Sequence, residues 1–328
     1  MLNPELQLNQ KVFNADVEQK PTRAGFGEGL LEAGKKDKNV VALSADLTES
    51  TQVLPFAKEF PERFFQMGVA EQNMASVASG LAAMGKIPFI ASYAMFSPGR
   101  NWEQIRTTVA YNNVPVKIAG AHAGISVGPD GGTHQAVEDI ALMRVIPRMV
   151  VLNPCDAIEA KKVTLAAALT KDPTYVRLAR EKTPVMTTTE TPFEIGRAFP
   201  FYLPEGSYQL AIIASGPLLY QALMAAEEMK KKGVKVGVLN LVSIKPLPEE
   251  DILKFVNDVK GVVTVEEHQA RGGVGGAVAE LLALRNPKPM RFIGVQDQFG
   301  QSGEPKELIA HYKMDTVSIL AALEDLLQ

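Results

Sequence analysis

Short runs of β-branched and aliphatic residues alternate with longer helical patterns along the whole 328-residue chain, and this alternation leaves few folds open. Buried strands separated by helices are the signature of a parallel α/β sheet covered by helices on both faces. In the first part the strands are NVVALSA (39–45), RFFQMG (63–68), IPFIASY (87–93), VPVKIAGA (114–121), RMVVLNP (148–154) and TYVRLAR (174–180). A second series, YQLAIIASG, VKVGVLNLVS, GVVTVEE and MRFIGVQD, alternates with helices at PLLYQALMAAEEMKKK, EEDILKFVNDV and GVGGAVAELLALR. Between the two series, residues 181–207 are rich in Thr and Pro and lack helical periodicity, which reads as a linker with room for an edge strand. The chain is too long for one average domain, so two α/β domains are expected, residues 1–192 and 193–328.

Composition excludes several function classes. A formal net charge of -3 with no basic stripe points away from nucleic acid. No apolar run approaches the ~18 residues needed to span a bilayer, and the polar N-terminus lacks a signal-peptide core, so a cytoplasmic protein without a membrane role is expected. The single cysteine, Cys155, excludes an internal disulfide and any multi-cysteine metal site, and its place at a strand end reads as a packed thiol. No metal ligands are expected from this chain.

In open α/β sheets ligands gather at the carboxyl ends of strands. Those ends are Ser44–Ser50, Gly68–Glu71, Tyr93–Phe96, His122–His134 and Arg180. In GPDGGTHQAVED (128–139) the glycines allow a sharp turn and Thr133 is positioned to cap a following helix. That would place His134 in the first helical turn, where the macrodipole favours a neutral ring fit for a substrate contact; a structural histidine is the alternative. Glu71 is the only acid in MGVAEQNMASVASGLAAMG (67–85). Ala75, Ala78, Ser79, Ala82 and Ala83 would let that helix approach another backbone closely, leaving Glu71 in a dry place where it must find a donor, unless it merely favours the helix N-terminus. Tyr93 and Phe96 stand three apart just past a strand, a spacing common in cores but here at a ligand-binding edge. Arg23, Asp46, Ser50 and Arg180 complete the polar set, and an arginine at a strand end is well placed to fork onto phosphate. The stretch HQARGGVGGAVAE (268–280) follows a strand and opens a helix, as a dinucleotide fingerprint would, but the third glycine position is Val278, so a packing turn is expected.

Taken together, RFFQMGVAEQNMASVASGLAAMG, AHAGISVGPDGGTHQAVEDIALMR and LSADLTES resemble the pyrimidine-binding segment, substrate loop and strand-end turn of the transketolase family, from about Arg23 to the C-terminus. The resemblance implies a pyrimidine-binding domain and a C-terminal domain without the family's diphosphate-binding domain, hence the C-terminal subunit of a split transketolase. The missing half, an N-terminal subunit, would hold the diphosphate of thiamine diphosphate together with Mg2+ or Ca2+. Two copies of each chain are implied, because in the family the cofactor lies between units. By the same resemblance Glu71 bonds the cofactor's pyrimidine nitrogen and promotes the imino tautomer. Tyr93 and Phe96 pack on the pyrimidine, Asp46 lies at the cofactor, and a third family aromatic is replaced near Gly99. Asp130 and His134 match the pair that binds sugar hydroxyls, with His134 catalytic; Arg23, Ser50, His122 and Arg180 match the phosphate-binding set. The implied reaction moves a two-carbon ketol unit from a ketose phosphate to an aldose phosphate in the pentose phosphate pathway, with the cofactor as electron sink. The nearest alternatives are the beta subunit of a 2-oxo-acid dehydrogenase, whose substrate loop does not usually read DGGTHQAVED, and a deoxyxylulose phosphate synthase-like enzyme, normally one long chain. A catalytically silent regulatory or binding subunit is the alternative of another class; Glu71, Asp130 and His134 together speak against it.

Overall fold

The computed structural model describes residues 1–328. In its first half the strands and helices run β1 (Gln19–Lys20), α1 (Thr22–Lys36), β2 (Val40–Ser44), α2 (Leu54–Glu59), β3 (Phe64–Gln66), α3 (Glu71–Ala83), β4 (Ile87–Tyr93), α4 (Trp102–Gln104), β5 (Lys117–Ala121), α5 (Asp139–Arg144), β6 (Val150–Leu152), α6 (Ala157–Leu169), β7 (Thr174–Arg177) and β8 (Thr183–Pro184). The second half adds β9 (Phe199–Tyr202), β10 (Leu210–Ala214), α7 (Leu219–Lys231), β11 (Val236–Asn240), β12 (Ser243–Lys245), α8 (Glu249–Phe255), β13 (Gly261–Gln269), α9 (Val274–Arg285), β14 (Met290–Val295), α10 (Pro305–His311) and α11 (Thr316–Asp325). A seven-stranded sheet has the order β12-β6-β7-β5-β4-β2-β3 and a five-stranded sheet the order β14-β13-β10-β11-β9. Within each, neighbours are parallel except at one edge, where β12 and β9 run antiparallel. The protein is therefore a two-domain α/β fold of mostly parallel sheets flanked by helices, as the strand–helix alternation predicts.

The fully buried strands β2, β5, β6 and β7 explain why the first sheet reads as continuous apolar runs and not as alternation. Helix α1 packs on α6 at a distance only glycine permits: a Cβ on Gly25 would sit 1.8 Å from the Ala157 carbonyl oxygen, and one on Gly29 would sit 2.7 Å from Thr164 Cβ. The Thr/Pro-rich stretch supplies β8, which pairs antiparallel with β1, and β9, the edge of the second sheet.

Two elements differ from the sequence reading. VKVGVLNLVS is not one strand but two, because β11 stays in the second sheet while Ser243–Lys245 crosses to pair with β6 of the first. The helix expected directly after Thr133 starts only at Asp139; residues 132–134 form a turn and Ala136 a bridge to Ala123. Side-chain bonds explain the delay. Gln135 Nε2 donates to the carbonyls of Ile125 (3.0 Å) and Gln301 (2.9 Å), and Arg177 donates to the Ala136 carbonyl at 3.2 Å. The Ala136 carbonyl also accepts from the Gly124 amide at 2.8 Å, where Ala136 bridges Ala123, so the stretch is held in a non-helical path.

The glycine-rich stretch after β13 is a packing turn. The N–H groups of Val274 and Gly275 at the start of α9 both donate at 2.7 Å to the carboxylate of Glu266, and a Cβ on Gly273 would lie 2.0 Å from that carboxylate. The chain's own acid thus fills the place a pyrophosphate would take.

Candidate active site

The carboxyl ends of β4, β5 and β7 and the start of α3 bring most of the singled-out residues together. Glu71 opens α3 and is buried, as the small residues behind it suggest: Ala75, Ala78, Ser79 and Ala82 are buried too, and Ser79 Oγ donates to the Thr108 carbonyl at 2.5 Å in the neighbouring helical segment. Ala83 lies on the exposed side. The donor that a buried carboxylate must find is Arg100, whose Nη1 lies 2.8 Å from Glu71 Oε2; Ser92 Oγ stands 3.4 Å from the other oxygen. Asn101 Nδ2 donates to the Glu71 carbonyl at 3.0 Å and so fixes the turn carrying Arg100 onto the helix.

Beside this pair lies an aromatic group. Tyr93 stacks on the His122 ring with centroids 3.9 Å apart and on Phe96 at 6.2 Å, and His134 meets Phe96 edge-on at 5.4 Å. The Arg100 guanidinium lies over the face of Phe96, 4.9 Å from its centroid, linking the aromatic group to Glu71. His122 is 2% exposed and has a positive φ of 55°, uncommon for a residue other than glycine. Burial, then the charges of Arg23, Arg180 and His134, push its pKa down to about 3, so the ring is neutral at physiological pH. Its Nδ1 has no partner within the chain, and neither has Nε of Arg23.

Arg23 and Arg180 face this ring and one another: burial, then the charge of Arg180, lower the pKa of Arg23. Arg23 Nη1 donates to the Ser50 carbonyl at 2.7 Å, so Ser50 reaches the group through its backbone. Arg180 Nη1 donates to the Val127 carbonyl at 2.8 Å and pairs with Glu181 at 3.2 Å, leaving part of its fork free. Asp130 ends the turn Ile125–Asp130 and is exposed, and His134 is half-buried. Thr133 does not cap a helix; its hydroxyl bonds His134 Nδ1 at 2.9 Å. With no helix beginning there, the macrodipole argument for a neutral His134 loses its basis. Asp46, just past the end of β2, is exposed with a φ of 59°, and its amide donates to Gln66 Oε1 at 2.8 Å.

Several residues of this region carry no sequence signal. Arg100 sits in the polar turn SPGRN, where an arginine reads as solvated. The loop 125–135 is seated on the second half of the chain, which strand-end reasoning assigned no part in the site. A Cβ on Gly131, whose φ is 76°, would meet Ser302 Oγ at 2.6 Å, and one on Gly132 would meet the Gly300 carbonyl oxygen at 2.6 Å. The base of the loop is held by a buried cluster: Arg177 Nε donates to Asp139 Oδ2 at 2.8 Å, Tyr175 donates to the same oxygen at 2.6 Å, and Arg177 also reaches the Glu267 carbonyl at 2.8 Å. Burial alone would raise the pKa of Asp139, but the Arg177 charge and these hydrogen bonds outweigh it and hold the carboxyl below its ordinary value. No group of three or more His, Cys, Asp or Glu side chains is arranged to hold a metal ion.

A buried carboxylate beside stacked aromatic faces, an unpartnered neutral imidazole and two guanidiniums fits a flat nitrogen heterocycle at one end and an anionic polyol at the other. Comparison with known proteins shows the family. The transketolase pyrimidine binding domain matches residues 18–186 and the transketolase C-terminal domain residues 203–319. A protein of Methanocaldococcus jannaschii described provisionally as a transketolase C-terminal section is 49% identical over 304 residues, covering 92% of this chain and 94% of that one. A 6-deoxy-6-sulfo-D-fructose transketolase subunit of Clostridium sp. (strain MSTE9) is 36% identical over 95% of this chain and 96% of its own length. A solved split-gene transketolase, described as an inactive beta4 tetramer, superposes with a TM-score of 0.86 at 39% identity, covering 94% of this chain and 98% of that one. The chain belongs to the transketolase family, of which it carries the pyrimidine-binding and C-terminal domains.

Proposed function

We propose that this chain is one subunit of a two-chain transketolase that moves a two-carbon ketol unit between sugars bearing an anionic terminal group, with the division between its two domains near residue 192. The observation that carries the reading is the juxtaposition of buried Glu71 with Tyr93, Phe96, His122 and His134 at the ends of neighbouring strands. Glu71, Tyr93 and Phe96 would hold the pyrimidine of thiamine diphosphate. When bound, that cofactor supplies a carbon nucleophile and an electron sink for carbon–carbon bond cleavage.

The residues of this chain bind, orient and move protons. Glu71 would share a proton with a nitrogen of the pyrimidine ring, and its burial would keep that exchange out of reach of water. Neutral His122 offers an unpartnered nitrogen to a sugar hydroxyl, and the His134 ring and Asp130 carboxylate on the neighbouring loop would bond other hydroxyls. Arg23 and Arg180, with Ser50 ordering Arg23, take the anionic end of the sugar by charge-assisted hydrogen bonds. Asp46 lies at the rim of this region. Phosphate and sulfonate both suit a pair of guanidiniums, and the Clostridium relative is named for a sulfo-sugar. A pentose phosphate is the first substrate to test. The diphosphate and its Mg2+ or Ca2+ belong to an N-terminal partner chain, in an assembly with two copies of each. The lone buried Cys155 suits the cytoplasm.

The test is purification of this chain from its own host with identification of the polypeptide that accompanies it. A partner whose presence gives thiamine diphosphate-dependent ketol transfer between sugar phosphates supports the reading. A chain that comes alone, and a reconstituted pair with no transfer activity on phosphorylated or sulfonated sugars, would refute it.

A further inference from the structure

We infer that Arg100 is a positioning residue that holds Glu71 in the unloaded site and competes with the cofactor's pyrimidine for the Glu71 carboxylate. The inference rests on the proposed role of Glu71. The geometry is specific: Arg100 Nη1 lies 2.8 Å from Glu71 Oε2, and Ser92, the only other side chain bonded to that carboxylate, stands at 3.4 Å from the second oxygen. Glu71 is 1% exposed, whereas Arg100 is 47% exposed. A buried carboxylate without a partner is costly, so in the unloaded chain an arginine reaching in from the surface replaces the water that cannot enter.

The same contact opposes the carboxyl's proposed task. A guanidinium donates and never accepts, so at 2.8 Å it takes a place on Oε2 that any other donor to that oxygen must share or displace. Both oxygens of Glu71 already accept from a side chain, Oε2 from Arg100 at 2.8 Å and Oε1 from Ser92 at 3.4 Å, so a further partner competes first with the shorter, charged contact. The arginine has somewhere to go. It also lies over the face of Phe96, 4.9 Å from the centroid, and about half of the side chain is open to solvent. Its turn is anchored through the neighbouring Asn101, whose side chain donates to the Glu71 carbonyl at 3.0 Å, so the backbone can stay while the guanidinium slides over the ring. Arg100 thereby orders the Glu71 carboxylate and competes with the pyrimidine for it.

The test uses the assembled two-chain complex and titrates thiamine diphosphate. The sole tryptophan of this chain, Trp102, two residues from Arg100 and bonded to the Leu142 carbonyl at 2.9 Å, provides a fluorescence reporter, and equilibrium dialysis provides an independent one. Arg100→Gln removes the competing cation and is expected to tighten cofactor binding about three- to tenfold, the range of a single charge-assisted contact partly open to water. Arg100→Lys restores a cation and is expected to return the affinity to within about twofold of wild type. Because Arg100 is half exposed, neither change should disturb folding, which unchanged thermal unfolding of both variants would verify. Equal or weaker binding by Arg100→Gln in a folded complex would overturn the inference while leaving the role of Glu71 standing. No thiamine diphosphate binding by the wild-type complex at millimolar concentration would instead overturn the reading of the site, and the role of Arg100 with it.

Discussion

At the scale of single residues, chemistry follows from what surrounds each polar atom. Glu71 is an acid in a run of small residues, a pattern that predicts a dry niche, and the niche is there, with Arg100 as its donor. Arg100 itself was not legible, because a sequence does not distinguish an arginine that folds inward from one that points to water. Likewise, the pairing of His122 with Tyr93 depends on two strand ends meeting across a sheet, which local spacing does not encode. Replacing Glu71 with Ala in the assembled enzyme is expected to lower turnover at saturating substrate by about 10²-fold or more, the scale of lost proton transfer, with KM for the sugar little changed. Steady-state kinetics decide this, and a variant keeping more than about a tenth of the wild-type rate would show that Glu71 does not exchange the proton.

Elements show where periodicity suffices and where it does not. The long apolar runs gave the buried strands at once, because a strand covered on both faces has no polar side to hide. The start of α5 was misplaced because Gly-Gly-Thr before an amphipathic stretch is a good local helix start, and Gln135 and Arg177 override it through bonds to distant carbonyls. Glycines inside helices separate two further cases. Gly25 on α1 faces the Ala157 carbonyl so closely that Gly25→Ala is expected to cost about 1–3 kcal/mol or more by overpacking, despite alanine's better helix propensity. Gly80 on α3 has nothing within 4 Å of its Cβ position, so Gly80→Ala in this chain alone is expected to add up to about 1 kcal/mol. Urea denaturation of the two variants gives the opposite signs if the α1–α6 packing is as described; equal shifts would contradict it.

For the whole molecule, the junction of the two sheets holds buried charge that shapes the pH response. Asp156 collects the amides of Met186, Thr187 and Glu159 at 2.6–2.8 Å. Next to it Glu159 accepts from the Cys155 amide and from Asn240 across the junction, both at 2.7 Å. Burial, then the charge of Asp156, push the Glu159 carboxyl up to about 7 from 4.5. A carboxyl whose folded value is raised keeps its proton longer in the folded state, so its stabilising contribution is complete below about pH 4.5 and is lost as pH rises through about 7. Thermal stability should therefore decline between about pH 5 and 7, by an amount on the order of 2–3 kcal/mol from this group. Glu159→Gln, the neutral isostere, should flatten that decline, and an unchanged slope in differential scanning calorimetry would assign it elsewhere.

Strand β12 lies beyond the residues of the first half, yet it completes the first half's sheet. A fragment ending near residue 192 would leave β6 with a bare row of amides and carbonyls, an edge that invites pairing with other chains and hence aggregation. The two halves are therefore not interchangeable cassettes. A breakpoint at the apparent linker would cut through a shared sheet, and one after Lys245 would strip β13 from β10, so a gene fusion or shuffled chimera that is to stay soluble should carry both halves.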